Sequence, residues 1–417
     1  MPTTAAMHDG GRRLVPVHEH LARVLEAVAP VDRVERIPVA DAAGRTLAES
    51  IDALVDLPPF DNSAMDGYAV RRADVATADA QAPVVLDVVA ELPAGSAAEP
   101  TIGPGQAARI MTGAPIPHGA DAVVPFELTD AGTTRVAIHH APRRGQHLRR
   151  RGEDVRAGDR LLTGGTRLDA SAIAAAAAAG LAELPATVPP RVAVVATGSE
   201  LVDAGRPLGR GRIHDSNSLL LAALVTEAGG VVSERRHLPD DPRTLLDWLE
   251  HRAACDLVVF AGGVGPGAHD VVREVLGDVG TVGFTAVAMQ PGSPQAFGTL
   301  PEGTPVFGLP GNPVSVAVSF EAFVRPALLR LLGRADVQRA TWRARAEAGW
   351  RSPGGKRQYM PITLGAGPDG PTVRPATAGG AGSHLVGGLA RADGYAIVPE
   401  AVEEVAAGDL VEVAVTR

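Results

Sequence analysis

Between residues 189 and 333 the chain alternates short apolar segments with amphipathic ones, and this rhythm constrains the fold more than any other feature. Strands are predicted at 192–196, 257–261, 284–289 and 306–309. Helices are predicted at 218–228, 241–252, 271–276 and 313–332. Apolar strands that are bounded by glycine loops and separated by helices are typical of a parallel sheet covered on both faces. We therefore predict a central α/β domain with a parallel sheet.

The segments on either side of this region are predicted to form further domains. Short Val- and Ile-rich runs at 84–89, 109–112, 122–126 and 135–139 alternate with Gly and Pro turns, which is typical of a small β-rich domain. Similar strands follow residue 333 and predict a C-terminal β domain. Helices are expected at 16–28 and 41–47, and an alanine-rich helix at 172–182 is expected to pack tightly in a core. The 417 residues thus predict a multidomain protein, α/β with added β-rich domains.

Composition limits the classes of function. The net charge of −9 gives no support to general nucleic-acid binding, which needs an excess of Lys and Arg on one face. The single cysteine, Cys255, excludes an internal disulfide framework and a cysteine cage for a metal, and its apolar surroundings predict a buried thiol. No apolar stretch approaches the ~20 residues that span a bilayer, and no apolar signal region opens the chain. We expect a cytoplasmic protein without nucleic-acid or membrane partners.

A short basic run stands out against this acidic background. It contains five arginines between residues 143 and 151 and is followed at once by Glu153 and Asp154. Adjacent acids favour a solvated or internally paired segment over a track for phosphates. An anion site in this run is the second interpretation.

The loop PPFDNSAMDGYAV, at 58–70, carries an unusual density of polar groups. Its side chains Asp61, Asn62, Ser63 and Asp66 lie between two prolines, which favour extended backbone, and Gly67, which permits a sharp or left-handed turn. A turn held by its own Asx side chains explains part of this cluster. The remaining carboxylates predict a functional loop.

Ligands bind open parallel sheets at the carboxyl ends of the strands, and three predicted loops lie there. The first is Thr197-Gly198-Ser199-Glu200, and the second, at 262–267, is rich in glycines that expose backbone amides to an anion. In the third, Asn312 is a good N-cap and Pro313 suits the first helical position, so the amides of Val314 and Ser315 are expected to face an anion or to form a purely structural cap. Neither a full GxGxxG nor a P-loop lysine is present, which disfavours dinucleotide binding and Walker-type ATP hydrolysis.

Carboxylates accompany these loops. Glu200 follows the first strand, Asp240 and Asp241 precede a predicted helix, and Asp270 follows the glycine loop. Hard oxygen ligands beside anion-binding loops predict a site for Mg²⁺ and phosphate. Each acid taken alone is more often a helix cap or a surface charge.

Taken together, the motifs resemble the MoeA and gephyrin E-domain family, the molybdopterin molybdenumtransferases. The resemblance covers nearly the whole chain, and its motifs follow one another in the family's order. They are FDNSAMDGYAV at 60–70, RIMTGAPIPHGADAVV at 109–124, RRGEDVRAGD at 150–159, TGSEL at 197–201, GRIHDSNS at 211–218, AGGVGPGAHD at 261–270, PGSPQAFG at 291–298, LPGNPVS at 309–315 and GSH at 382–384.

The resemblance implies an enzyme that binds adenylylated molybdopterin and molybdate, inserts the metal and releases AMP with Mg²⁺. It also implies a homodimer whose active site is shared between subunits, and contact with the adenylylating enzyme of the same pathway. Four domains are expected: a discontinuous α/β linker and dimerisation domain at 16–52 and 145–188, a β-rich domain at 53–144, an α/β molybdopterin-binding domain at 189–333 and a C-terminal β-barrel-like domain at 334–417.

The resemblance also assigns residues. The expected catalytic acids are Asp66, Glu200, Asp240 and Asp270, and the magnesium ligands are drawn from Asp240, Asp241 and Asp270. Asp66 and Thr112 would come from the partner's β-rich domain, while Ser383 and Arg357 would reach in from the C-terminal domain. The other expected substrate contacts are Asp61, Asn62, Ser63, Asp154, Thr197, Gly198, Ser199, Asp215, Asn217, Gly262, Gly263, Gly265, Gln290, Ser293, Pro310, Asn312, Pro313 and Ser315.

The chain departs from the family pattern in the segment expected to hold the oxyanion. The family's KPGKP, with two lysines, is replaced by Gln290-Pro291-Gly292-Ser293-Pro294, and the serine of its SGGVS loop is Gly265, followed by Pro266. Three hypotheses stay open: a molybdenum transferase, a paralogue that handles tungstate or another phosphorylated compound, and a non-catalytic pterin-binding scaffold. Retention of Asp66, Glu200 and Asp270 argues against the scaffold, which has no need for repelling carboxylates.

Overall fold

The computed structural model describes residues 8–9, 12–265 and 270–416, and its largest sheet has six strands. In spatial order the strands are Val231–Leu238, Arg191–Thr197, Leu257–Ala261, Pro305–Leu309, Pro294–Thr299 and Gly283–Ala286. The first four are parallel, as predicted for the three of them that the sequence indicated; Val231–Leu238 was not predicted as a strand. Pro294–Thr299 runs antiparallel to both of its neighbours, Pro305–Leu309 and Gly283–Ala286. The expectation of a parallel sheet was therefore wrong at this edge. Pairing without a crossover helix is possible there because a short turn joins Pro294–Thr299 to its neighbour.

Helices cover both faces of this central sheet. One face packs against the helices Asn217–Glu227, Pro313–Ser319 and Arg325–Leu331, the last two joined by a π-helical segment, Phe320–Val324. The other face packs against Pro242–His251 and Val271–Asp278. The helix Val17–Ala27 contributes Val17 and Val24 to the first of these cores, although it precedes the central domain by some 160 residues in sequence.

A second, five-stranded sheet forms the β-rich part of the chain. Its strands are, in order, Arg135–Ile138, Val84–Leu92, Gln106–Ile110, Gly67–Val70 and Ala122–Pro125. Short 3-10 helices, Arg72–Val75 and Phe126–Leu128, flank it. Gly67 is needed here for close approach rather than for a left-handed turn, because a Cβ at this position would lie 2.0 Å from the carbonyl oxygen of Val124.

A third core joins two segments that are distant in sequence. It is built from residues 37–51 and 168–186, through the paired strands Val34–Pro38 with Glu183–Thr187 and Ile51–Asp52 with Arg160–Leu162. The predicted helix 41–47 was wrong: the chain forms a 3-10 turn, Val39–Asp41, and then pairs Thr46 and Leu47 across the core as isolated bridges. The alanine-rich helix is Ala170–Ala178, shorter than the predicted 172–182, and its buried residues Ala172 and Ala176 pack in this core.

The C-terminal region closes into a five-stranded barrel, as predicted. The strands Arg357–Gly367, Gly370–Pro375, Thr341–Ala346, Leu410–Val415 and Gly394–Val398 pair in this order, and the last pairs back to the first. The strand Met289–Gln290 of the central region adds to the barrel beside Arg357–Gly367. One helix, Val386–Leu389, and four short strand pairs complete the fold. The pairs are His8–Asp9 with Arg12–Arg13, Asn62–Ser63 with Leu148–Arg149, Leu201–Val202 with Ile213–His214 and Trp350–Arg351 with Glu404–Val405. Among the helices that the structure describes, none has the length and apolar character needed to cross a membrane.

The close approach at Gly67 gives a stability prediction. Gly67→Ala forces a methyl group onto the Val124 carbonyl and is expected to lower the free energy of unfolding by at least about 2 kcal/mol. Gly277→Ala, in the helix Val271–Asp278, meets no atom within 4 Å and is expected to raise it by about 0.5–1 kcal/mol. Urea unfolding of both variants checks the pair, and equal effects would contradict the close approach.

Candidate functional site

The loop at 58–70 presents an ionised carboxylate at its end, just before the strand Gly67–Val70. Thr112 donates to one oxygen of Asp66 from its amide at 2.6 Å and from its hydroxyl at 2.7 Å. Both hydrogen bonds lower the pKa of Asp66 because they favour the charged form, and the bond from the Thr112 amide has the larger effect. Since the carboxylate is also exposed, the structure brings Asp66 and Thr112 together at the surface as a fixed negative charge.

The other polar side chains of the loop are bonded within it or to the basic run. Asp61 accepts from the guanidinium of Arg150 at 2.6 Å and from the amide of Arg151 at 2.8 Å, and the Arg151 amide is the main cause of its lowered pKa. The hydroxyl of Ser63 donates to the carbonyl of Met65 at 2.5 Å. Asn62 donates to a carbonyl of the loop, and its buried amide oxygen has no partner among the described residues. The internally paired interpretation of the basic run is confirmed for these two arginines.

Asp154 is the remaining predicted acid of this region. Its amide donates to the carbonyl of Leu57 at 3.0 Å, and its side chain is exposed. The acid therefore lies against the start of the loop whose other end carries Asp66.

The loops at the carboxyl ends of the central strands meet, as the parallel arrangement predicts. The amide of Gly262 donates to the carbonyl of Leu309 at 2.9 Å, and a Cβ on Gly263 would lie 3.0 Å from the hydroxyl of Thr197. That buried hydroxyl has no hydrogen-bond partner among the described residues. Asn217 donates to the carbonyl of Gly311 at 2.6 Å, while its own buried amide oxygen is also without a described partner. Two buried polar groups of the site are thus left for a ligand.

The acids beside these loops differ in their hydrogen-bond partners. Asp240 and Ser199 are bonded reciprocally, because the Asp240 carboxylate accepts from the Ser199 amide at 2.8 Å and the Ser199 hydroxyl accepts from the Asp240 amide at 3.0 Å. Glu200 is exposed next to them, and Gly198 bonds to the end of the neighbouring strand. Asp241 instead caps the helix Pro242–His251, accepting from the amide and hydroxyl of Thr244 at 2.9 and 2.6 Å. The hydroxyl's bond is the main cause of its lowered pKa.

Asp215 also has a structural task. It is buried and accepts from the amide of Ser218 at 3.0 Å and from the Ser218 hydroxyl, at the start of the helix Asn217–Glu227. Arg235 donates to the same hydroxyl at 2.9 Å. Asp215 therefore orders the loop that presents Asn217.

Arg273, which the sequence did not identify as a site residue, binds the backbone of the glycine loop. Arg273 donates to the carbonyl of Gly265 at 2.6 Å and to that of Val264 at 3.2 Å. Asp270 begins the helix Val271–Asp278, and a Cβ on Gly265 would lie 2.9 Å from its carboxylate. The carboxylate of Asp270 therefore lies directly against the backbone at Gly265. Pro266 and Gly267, which were assigned to this loop, lie outside the described residues.

Magnesium binding depends on the hard oxygen donors that the described residues offer. No group of three or more His, Cys, Asp or Glu able to hold a metal occurs within the described ranges, so the chain offers no all-protein cage. Magnesium typically takes one or two carboxylates and completes its shell with water and substrate phosphate. Asp240, Glu200 and Asp270 supply hard oxygens of this kind beside the glycine loop, and they fit such a substrate-bridged ion.

A cleft of about 820 Å³ lies where the central domain meets the C-terminal barrel. Four predicted residues line it: Gln290, Ser293, Ser315 and Ser383. The hydroxyl of Ser293 donates to the carbonyl of Val287 at 2.8 Å and is therefore engaged within its own turn. Among the described residues that line the cleft there is no Asp or Glu. An acid-free cleft in a chain of net charge −9 is suited to an anion.

Two cations that the sequence analysis missed line this cleft, Arg351 and Lys356. Lys356 precedes the barrel strand Arg357–Gly367, and Gln358, on the same face of that strand, also lines the cleft. The amide of Gln358 donates to the carbonyl of Arg351 at 3.2 Å and accepts from the Trp350 indole at 2.9 Å. This buried residue therefore fixes the strand that carries Arg351.

Arg357 points elsewhere. Strand alternation places it on the opposite face, where its guanidinium lies 3.2 Å from the carboxylate of Glu400.

Asn312 makes no side-chain cap, Pro313 begins the helix as expected, and Pro310 is buried at the end of the preceding strand. The amide of Val314 donates to the carbonyl of Ser383 at 3.0 Å, so the expectation that it is open to an anion was wrong. The contact instead joins the helix to the barrel.

Comparisons with known proteins agree with this architecture. Residues 15–180 match the MoeA N-terminal region (domain I and II), residues 193–330 a probable molybdopterin binding domain, and residues 343–416 the MoeA C-terminal region (domain IV). Molybdopterin molybdenumtransferase 2 of Mycobacterium tuberculosis is 43% identical over 407 residues, covering 95% of this chain and 98% of its own. Molybdopterin molybdenumtransferase 1 of the same organism is 37% identical over 418 residues, with the same coverage.

A solved structure extends the comparison to three dimensions. The molybdopterin biosynthesis moeA protein of Pyrococcus horikoshii OT3 superimposes with a TM-score of 0.82 at 29% identity, covering 97% of this chain and 100% of that one. The fold, the motif order and the relatives agree over nearly the full length. The chain belongs to the molybdopterin molybdenumtransferase family, the MoeA-type transferases of molybdenum-cofactor biosynthesis.

Proposed function

We propose that this protein inserts molybdate into adenylylated molybdopterin in a magnesium-dependent reaction that releases AMP. The observation that carries the proposal is the separation of charge. Carboxylates flank the loops at the strand ends, whereas the neighbouring cleft has cations and no described acid. A substrate with a metal-bridged phosphate at one end and an oxyanion acceptor at the other suits this arrangement.

The nucleotide end of the substrate is assigned to the strand-end loops. The free hydroxyl of Thr197 and the free amide oxygen of Asn217 are buried and available to bond a ligand. The glycines at 262, 263 and 265 allow close approach, and Asp240, Glu200 and Asp270 would hold Mg²⁺ against the phosphate. When bound, the ion would neutralise the phosphate charge and stabilise the leaving AMP.

The oxyanion end is assigned to the cleft at the barrel. Arg351 and Lys356 are in a position to replace the two lysines of the family's KPGKP segment, since both line the same cleft as Gln290 and Ser293. Ser315 and Ser383 add hydroxyl donors to the same walls. The two cations would attract a tetrahedral dianion such as molybdate, and the two hydroxyls would donate hydrogen bonds to its oxygens.

The loop at 58–70 is proposed to complete the site of a second subunit in a homodimer. Outside the loop itself, its hydrogen bonds and strand pairing go to residues 107–152 of the same chain, and none of its residues lines the cleft in this chain. Asp66 is exposed and held ionised, as a group that acts on a neighbouring molecule would be. The four-domain division, a cytoplasmic location and contact with the adenylylating enzyme complete the proposal.

One assay tests the function. Purified protein is incubated with adenylylated molybdopterin, Mg²⁺ and molybdate, and AMP release and active cofactor are followed. The transferase is expected to produce both. AMP release with tungstate but not molybdate would favour the altered paralogue, for which the Gln290 and Ser293 pair is the evidence. Tight pterin binding without AMP release would leave only the scaffold.

The two neighbouring aspartates give a sharper prediction. Asp240→Asn removes a charge beside the glycine loop and is expected to lower AMP release at least about tenfold at limiting Mg²⁺. Asp241→Asn is the matched control, because asparagine caps helices as well as aspartate does, and it is expected to retain full activity. Titration of AMP release with Mg²⁺ measures both, and a greater loss in Asp241→Asn would reverse the assignment.

A further inference from the structure

A second cavity, of about 800 Å³, lies away from all the residues assigned above. It opens between the helices Asn217–Glu227 and Arg325–Leu331 of the central domain and the helix Val386–Leu389 of the C-terminal region. Arg167, from the third core, reaches the same space. Three structural units therefore contribute to one cavity that the proposed transferase reaction does not use.

Part of the cavity's lining is apolar. Leu220, Leu224, Phe320, Leu329 and Leu389 form it, together with Val386. Phe320 and Leu329 are fully buried, whereas Val386 is exposed at the mouth. Such a wall can take the apolar body of a small molecule.

The charged part of the lining carries more positive than negative charge. Arg167, Arg325, Arg334 and Arg339 line the cavity, against two carboxylates, Glu227 and Glu321. Glu321 is already shared, because Arg339 donates to both its oxygens at 2.6 and 3.2 Å and Arg325 lies at 3.8 Å. The lining thus has a formal charge of +2 (four arginines less two glutamates) in a chain whose net charge is −9.

Neither Arg334 nor Arg167 forms an ion pair among the described residues, and of the two only Arg334 is half-buried. Its guanidinium donates to the hydroxyl of Thr46 at 3.0 Å, and no carboxylate of the described residues forms an ion pair with it. Burial, then repulsion from Arg167 and Arg325, lowers the pKa of Arg334 to about 10. A half-buried cation whose charged neighbours are cations gains more from a bound anion than a solvated surface arginine does.

We propose that this cavity binds a small organic anion, a phosphate monoester or carboxylate that carries an aromatic or branched aliphatic group. Its charged end would lie between Arg334 and Arg167, where planar guanidinium groups can donate two hydrogen bonds each. Its apolar part would pack on Leu224 and Phe320. Because the cavity joins three structural units, the bound anion ties them together and raises the melting temperature of the full chain.

The test uses phenyl phosphate as the probe and inorganic phosphate as its comparison, both titrated into the full-length protein by calorimetry. Phenyl phosphate is expected to bind saturably and at least about tenfold more tightly than inorganic phosphate, because only it uses the apolar wall. Arg334→Gln is expected to weaken it at least about tenfold through loss of a charge-assisted hydrogen bond. Arg330→Gln, an exposed arginine of the helix Arg325–Leu331 that does not line the cavity, should leave binding unchanged.

Three outcomes would overturn the proposal: no saturable binding up to about 10 mM, equal affinity for the two probes, or equal binding by Arg334→Gln and the wild type. Should Arg334→Gln fail to fold, Arg167→Gln, an exposed cation of the same wall, is expected to show the same loss. Lys356→Gln separates this cavity from the molybdate cleft, because it should not alter phenyl phosphate binding here; a parallel loss in that variant would assign the probe to the cleft instead.

Discussion

Replacing both Arg351 and Lys356 by glutamine is expected to weaken molybdate binding by about 100-fold or more. Each residue can contribute a charge-assisted hydrogen bond of roughly 1.5–3 kcal/mol, and about 1.4 kcal/mol corresponds to a factor of ten in affinity. The exposure of Arg351 reduces its share, so Lys356→Gln should have the larger single effect. Equilibrium binding of molybdate at low salt measures all three variants.

The control is Arg343→Gln, because this exposed barrel arginine lies outside the cleft. It should leave molybdate binding unchanged. In the opposite direction, Gln290→Lys adds a cation to the lining of the cleft and is expected to strengthen binding. Unchanged binding in the double variant, or equal loss in Arg343→Gln, would show that the two cleft cations do not hold the anion.

Mixing two inactive variants is expected to restore activity. If Asp66 acts in the site of the partner subunit, a dimer of one Asp66→Asn chain and one Asp240→Asn chain contains one site with both defects and one with neither. Because random mixing makes about half of the dimers mixed, about a quarter of the wild-type AMP release should return. Each variant alone should show little activity.

A site contained in a single chain gives the opposite result, because every site would then carry one of the two defects. The mixture would stay as inactive as its components. Size-exclusion chromatography of each variant, showing a dimer that exchanges subunits, is the control for this comparison.

The positions of the strand-end loops could be predicted because they follow from the topology alone. Consecutive parallel strands end at one edge of the sheet, and Thr197, Gly262 and Asn217 meet there as expected. The closed C-terminal barrel was also predicted. The antiparallel edge was not, because the strand Pro294–Thr299 contains Pro, Gln and Gly and lacks the apolar run that marked the predicted strands.

The sequence did not predict which basic side chain of the barrel strand faces the cleft. Lys356 and Arg357 are neighbours in sequence, and a shift of one residue in the strand exchanges the face that each occupies. The pairing of Met289 with Arg357 fixes that register, and it is a contact between regions almost 70 residues apart. In the same way, the sequence Asp240-Asp241-Pro242 does not reveal which carboxylate caps the helix until Thr244 is positioned.

The most direct measurement of the central claim is the stoichiometry of a single turnover. With protein in excess over adenylylated molybdopterin, and with Mg²⁺ and molybdate present, one AMP should be released for each molybdenum found in the pterin. Omission of Mg²⁺ should abolish both. AMP release that proceeds at the same rate and extent without any molybdenum in the product would contradict the assignment of this chain as the enzyme that inserts the metal.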